Sequence, residues 1–216
     1  MIIADNLHKL KSKIPNHVTL VAVSKTKRND LIMNAYDAGH RVFGENKIQE
    51  MLAKYNSLPK DIKWHMIGHL QRNKVKYIAP FVSLIHGVDS IKLINEINKH
   101  GIKNSRVIKC LLQVNISKEV SKFGISLNKI DELYDYSLSL ENISIKGLMG
   151  MASYTNDKSI INSEFNSIGL KFNDINKIDP NFNILSIGMS GDYEVAINNG
   201  SNMVRIGSKI FGERKI

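Results

Sequence analysis

The chain of 216 residues holds a single cysteine, Cys110. No internal disulfide can form, which fits a reducing compartment. Cys110 sits in the apolar run Val107-Ile108-Lys109-Cys110-Leu111-Leu112. A buried, inert thiol is expected there, with a nucleophile as the alternative. The start, Met1-Ile2-Ile3-Ala4-Asp5, has no basic head and no long apolar stretch, so no signal peptide is expected. No apolar run approaches the roughly 18–20 residues that cross a bilayer. The expectation is a soluble, cytoplasmic protein with no membrane partner. Blocks of basic residues with interleaved aromatics are also missing, although the net charge is +10. The lysines are dispersed, so a solvated surface is expected rather than a nucleic-acid stripe. Attraction of small anions is compatible with either reading. No linker, low-complexity tract or long repeat divides the chain, so residues 1–216 read as a single domain with a real core.

What is present is an alternation of short apolar runs with helical patterns. Strands are expected at Val18–Val23, Arg41–Phe43, Lys63–Ile67, Val82–Ile85, Val107–Val114, Ile145–Leu148, Asn183–Ser186 and Met203–Ile206. The first is nearly all apolar and β-branched, as a strand buried on both faces should be. Helices are expected between them. Asn29 or Asp30 can cap the first, and Gly39 can end it. Others run from about Lys47 to Tyr55, Arg72 to Ile78 and Lys158 to Asn176. Asp89 or Ser90 can cap a helix that Gly101 follows, and Ser126 can cap another. Eight such units suggest a (β/α)8 barrel. The rival is an open doubly wound sheet, which wants a glycine-rich turn after strand one. Here that strand ends in Ser24-Lys25-Thr26-Lys27, without glycine.

Barrel sites lie at the carboxyl ends of strands, and phosphate sites often use the loops after strands seven and eight. Ser190-Gly191-Asp192 opens a short helical stretch after strand seven, and Gly207-Ser208 opens another after strand eight. Glycines let backbone N–H groups approach phosphate oxygens, and hydroxyls add donors. A lone glycine–serine pair is usually a turn; two at these strand ends are more specific. Lys25 follows a fully apolar strand and would rim the mouth. Schiff-base chemistry there needs a neutral amine, so its pKa of about 10.4 must fall. A solvated loop lysine is the alternative.

At these residues the sequence resembles the YggS-type pyridoxal phosphate homeostasis proteins, relatives of the N-terminal barrel of alanine racemase. The resemblance is carried by Leu20-Val21-Ala22-Val23-Ser24-Lys25-Thr26-Lys27, Phe43-Gly44-Glu45-Asn46 with Gln49-Glu50, and Trp64 to Lys74 (WHMIGHLQRNK). Further matches are Gln113-Val114-Asn115-Ile116, Lys122-Phe123-Gly124, Gly147-Leu148-Met149, Gly188-Met189-Ser190-Gly191-Asp192 and Val204-Arg205-Ile206-Gly207-Ser208 with Ile210-Phe211-Gly212. It implies an α/β fold, one (β/α)8 TIM-like barrel of the alanine racemase N-terminal type. It implies pyridoxal 5′-phosphate (PLP, a vitamin B6 form) as cofactor, joined to Lys25 as an internal aldimine. Ser190, Gly191, Gly207 and Ser208 would hold the phosphate, Arg205 would face the pyridine nitrogen, and Asn46 and His65 would belong to the pocket. His65 could instead be a core histidine, and Arg205 a structural salt bridge at the rim. Four positions depart from the usual pattern: Ser208 where threonine is common, Arg28 where proline is common, and Asn202 and Gly150.

Racemase chemistry needs two acid–base groups on opposite faces of the substrate. In alanine racemase the second is a tyrosine from a separate C-terminal domain, which is not expected here because the chain stops at Ile216, soon after strand eight. A guanidinium offers no acceptor, so Arg205 would leave the pyridine nitrogen unprotonated and the cofactor a poor electron sink. The expectation is a carrier or regulator of intracellular PLP, with effects on amino- and keto-acid balance. PLP-dependent apo-enzymes would be its recipients, and a monomer is favoured. The alternatives are a weak PLP-dependent racemase or lyase, marked by a tyrosine, histidine or cysteine opposite Lys25, and a protein that binds nucleic acid or an acidic partner.

Overall fold

The computed structural model describes residues 2–117 and 123–213. Lys122, part of one motif above, lies outside the described residues. Eight parallel strands close into a barrel in sequence order. They are β1 (Thr19–Val23), β2 (Val42–Glu45), β3 (Lys63–Met66), β4 (Leu84–Val88), β5 (Ile108–Val114), β6 (Ile143–Gly150), β7 (Ile184–Ser186) and β8 (Met203–Ile206). The barrel is closed by β8 beside β1, with Val21 opposite Arg205. The open doubly wound alternative is thereby excluded.

Strand residues alternate. Leu20, Ala22, Phe43, Trp64, Met66, Ile85, Leu185, Val204 and Ile206 belong to the large cluster shared with the helices. Val21, Leu84, Leu111, Met149 and Met203 form a separate small cluster, the side-chain layer that fills a barrel of this kind. The helices are α1 (Ile2–Lys11), α2 (Asn29–Asp37), α3 (Ile48–Ser57), α4 (Val75–Ile78), α5 (Ile91–Lys103), α6 (Ile130–Leu138), α7 (Lys158–Ile178), α8 (Tyr193–Asn198) and α9 (Ser208–Phe211). Helix α1 is additional to the expected βα units. It buries Ile3, Leu7 and Leu10, the spacing of one helical face, and Asn6 Nδ2 donates to the Ile210 carbonyl at 3.1 Å.

Several local expectations are corrected. Neither Asn29 nor Asp30 caps α2: Arg28 is its N-cap, without a side-chain bond. Asn29 instead bonds Ser57 Oγ, and Asp30 pairs with Arg28 on the surface. Ser90 does cap α5, accepting from Leu93 N at 3.3 Å. Gly101 lies inside α5, not past its end. A Cβ there would meet the Asn142 carbonyl at 2.4 Å, so glycine serves close approach rather than termination. Ser126 precedes a short 3-10 turn and makes no cap bond to it. Strands β4 and β6 run longer than their apolar cores suggest, with register shifts along β4–β5 and β5–β6.

Gly147 sits opposite Ile184 across β6–β7. Its φ is +150°, and a Cβ would lie 1.8 Å from the Ile184 carbonyl oxygen. Gly147→Ala is therefore expected to cost about 3 kcal/mol or more. Urea denaturation measures it; a loss below about 1 kcal/mol would show that the β6–β7 seam shifts freely.

Two of the four departures from the pattern, Asn202 and Gly150, have local explanations. Asn202 Oδ1 accepts from Leu185 N at 2.9 Å, and its Nδ2 donates to the Asn183 carbonyl at 2.7 Å, so the side chain ties β8 to β7. A Cβ at Gly150 would meet Ile116 and Ile168 methyls at 3.0 Å. No helix among the described residues is long and apolar enough to cross a membrane.

Candidate functional site

A cavity of about 780 Å³ opens where β1, β7 and β8 end, a size suited to a small molecule. Lys25, Asn46, Ser190, Gly191, Arg205, Gly207 and Ser208 all line it. Elements far apart in sequence meet there because the barrel closes β8 onto β1.

Its charge is one-sided. Lys25, Lys27, Lys47 and Arg205 line the cavity, and no Asp or Glu among the described residues does. Ser190 Oγ accepts from Gly207 N at 3.3 Å, which joins the β7 and β8 loops. Among the described residues the N–H groups of Ser190, Gly191 and Ser208 donate to no other protein group. A Cβ at Gly191 would meet nothing within 4 Å, whereas one at Gly207 would sit 3.1 Å from the Val23 carbonyl. Glycine at 207 thus lets the β8 loop approach β1. Asn46 Oδ1 is buried without a hydrogen-bond partner, an acceptor suited to a bound donor. Val23, Ile67, Phe123 and Met151 add apolar wall. A compact anion with a flat, partly apolar body fits these donors and surfaces.

Arg205 is 4% exposed. It donates to the Ser186 carbonyl at 2.6 Å, to Ser186 Oγ at 2.7 Å and to the Gly150 carbonyl at 2.9 Å. The rim salt bridge is thus corrected: its partners are carbonyls and a hydroxyl. Burial pulls its pKa down to about 10, still a cation at neutral pH. Ser186 Oγ lies 3.2 Å from His86 Nδ1, and His86 Nε2 lies 3.1 Å from His65 Nδ1. His65 is not on the cavity wall. It stands inside the barrel in this buried polar row. Burial, reinforced by Lys63, lowers the His65 pKa to about 3. Burial, then His65 and Arg205, hold His86 well below the usual histidine range.

Around Lys25 stands a second polar group that sequence reasoning missed. Lys54 Nζ donates to the Ser24 carbonyl at 2.8 Å, Glu45 Oε1 at 2.7 Å and Glu50 Oε1 at 2.6 Å. Glu45 is fully buried, and burial raises its pKa against the opposing pull of Lys54. The one available signal was the i,i+4 spacing of Glu50 and Lys54, which ordinarily marks a surface pair. His86 and Ser186 carried no signal beyond their inward strand parity. Cys110 is buried, and burial pushes its thiol above the usual range, so it is inert.

Residues 2–215 match the family model described as alanine racemase, N-terminal domain. The pyridoxal phosphate homeostasis protein of Aquifex aeolicus is 39% identical over 205 residues, covering 93% of this chain and 89% of the relative. That of Escherichia coli K12 is 35% identical, covering 98% and 97%. Among solved structures, PipY of Synechococcus elongatus with PLP bound has a TM-score of 0.88 at 32% identity, covering 97% of this chain and 100% of PipY. Alanine racemase from Bacillus anthracis shares the fold alone, with a TM-score of 0.77 at 16% identity over 56% of its length. A family model that spans nearly the whole chain and relatives 35–39% identical over most of both lengths show that the chain belongs to the pyridoxal phosphate homeostasis proteins of the alanine racemase N-terminal barrel type.

Proposed function

We propose that the chain binds PLP at the barrel mouth, holds it by a Schiff base on Lys25, and serves PLP homeostasis in the cytoplasm as a carrier rather than an enzyme. The carrying observation is the convergence of Lys25, the Ser190-Gly191 and Gly207-Ser208 loops and Arg205 on one cavity whose described lining is cationic and free of carboxylates. The two loops hold the phosphate through backbone N–H groups and hydroxyls. The neutral form of the Lys25 amine is the one that condenses with an aldehyde and releases water. Arg205 belongs at the pyridine nitrogen. Bound PLP supplies an electrophilic aldehyde and an electron sink. A guanidinium has no acceptor to offer that nitrogen, and its fixed charge disfavours a second cation there, so the sink is weak. His65 contributes to this site only through His86, Ser186 and Arg205. PLP-dependent apo-enzymes are the recipients this reading supplies.

The second reading, a weak racemase or lyase, has its acid–base candidates on the same wall. His69 and Tyr154 both line the cavity. One experiment separates the two. The protein is loaded with PLP, reduced with borohydride and mapped by peptide, and chiral assays are run on alanine and other common amino acids. The expected result is a pyridoxyl label on Lys25, lost from that position in Lys25→Ala, with no racemisation. A label on another lysine and none on Lys25 would overturn the linkage. Turnover of about 1–10³ s⁻¹, abolished in Lys25→Ala, would overturn the carrier reading.

A further inference from the structure

We propose that Lys54 and Glu50 of α3, together with Glu45 at the end of β2, are positioning residues that hold the Ser24–Lys27 turn and so set how fast the Lys25 amine captures PLP. This rests on the assignment of Lys25 above.

The turn itself needs outside support. Lys27 N donates to the Ser24 carbonyl at 3.0 Å, which puts Lys25 and Thr26 at its two central positions. Thr26 has a φ of +63°. The second central position of a turn takes positive φ when glycine or asparagine stands there; a β-branched residue is strained. The strain is held by groups from α3. Thr26 N donates to Glu50 Oε1 at 2.5 Å, and the Ser24 carbonyl accepts from Lys54 at 2.8 Å. The amide after Lys25 and the carbonyl before it are therefore both fixed by one ion pair.

The ammonium side of that ion pair is complete, while Glu45 Oε2 is buried without a hydrogen-bond partner. The ammonium of Lys54 has three protons, and the Ser24 carbonyl, Glu45 and Glu50 accept all three. Ser24 Oγ donates to Glu45 Oε1 at 2.6 Å, so strand β1 is held at the same point. Lys54 is 5% exposed. A buried ion pair is a poor way to gain stability, since apolar side chains of similar volume do as well or better. Its value here is directional: it holds a strained backbone in one shape beside a reactive amine. Geometry of that kind acts on the rate of bond formation, whereas the phosphate loops after β7 and β8 take no part in the ion pair and keep their affinity.

The test compares two ligands on the full chain. PLP can be captured covalently; pyridoxamine 5′-phosphate has no aldehyde and reports only the phosphate and ring contacts. In Glu50→Ala, capture of PLP by Lys25, followed by its absorbance, is expected to slow about tenfold. Pyridoxamine 5′-phosphate should keep its affinity within about twofold. Adding Thr26→Gly should recover part of the rate, because glycine takes positive φ without strain. In the unloaded protein the Thr26 amide proton resonance should move upfield once its carboxylate partner is gone. If Glu50→Ala fails to fold, Glu50→Gln keeps the shape and removes the charge. Equal losses for both ligands, no loss for either, or no recovery by Thr26→Gly overturns the inference while the Lys25 assignment stands. A wild-type protein that carries no label on Lys25 overturns both.

Discussion

Between pH 7 and pH 5 the unloaded protein is expected to lose about 4–6 kcal/mol of stability. Three of the buried histidines, His40, His65 and His86, matter here. Burial lowers the His40 pKa to about 4, and burial with Lys63 lowers that of His65 to about 3. His86 lies well below the ordinary 6.5. In each case the folded value is below the unfolded one. The unfolded chain therefore binds more protons once the pH drops below about 6.5, and stability present above that value is lost on the way down to the folded pKa. His40 and His65 contribute about 2 kcal/mol each by pH 5, and His86 acts in the same direction. Glu45, whose pKa is raised, works the other way, as one group against three. Against a usual total of about 5–15 kcal/mol, the loss is large. Urea denaturation at pH 7, 6 and 5 reads it directly, and a flat profile would mean that the three rings are charged or hydrated when folded.

Removing the phosphate from the ligand is the other change with a large expected effect. Pyridoxal is expected to bind at least about a hundredfold more weakly than PLP, since each charge-assisted hydrogen bond contributes about 1.5–3 kcal/mol. The β7 and β8 loops offer several such donors from Ser190, Gly191 and Ser208. The cations Lys27 and Lys47 add attraction that no carboxylate among the described lining residues cancels. Competition titrations against PLP give the ratio. The double variant Ser190→Ala with Ser208→Ala should lower PLP affinity and leave pyridoxal unchanged. Equal affinities for the two ligands would refute a phosphate subsite at these loops.

The barrel was legible because its strands are short apolar runs separated by stretches of helical periodicity, a pattern that depends only on local sequence. The phosphate loops were legible for a related reason: they lie directly after strands seven and eight, so position along the chain implies position in space. What resisted reading depends on long-range contact. Helix α1 carries an apolar face of only Ile3, Leu7 and Leu10. Gly101 resembles a helix terminator until the backbone at Asn142 and Arg106 is brought against it. Lys54 and Glu50 have the spacing of a solvent-exposed pair, and only the closure of β1 beside β2 buries Lys54 under Ser24. His65 belongs to a recognisable motif, yet strand parity alone does not say whether an inward side chain reaches the cavity or stops short of it.

The row from Arg205 through Ser186 and His86 to His65 carries a direction. Arg205 can only donate hydrogen bonds, so Ser186 Oγ accepts one from it. The serine's own proton is then best used on His86 Nδ1. That places the remaining His86 proton on Nε2, facing His65 Nδ1, and leaves His65 protonated on its far nitrogen. The tautomers of two rings on β3 and β4 are thus dictated by a residue on β8, across the width of the barrel. The aligned bond dipoles point one way only, and replacing Arg205 by an acceptor reverses the whole string.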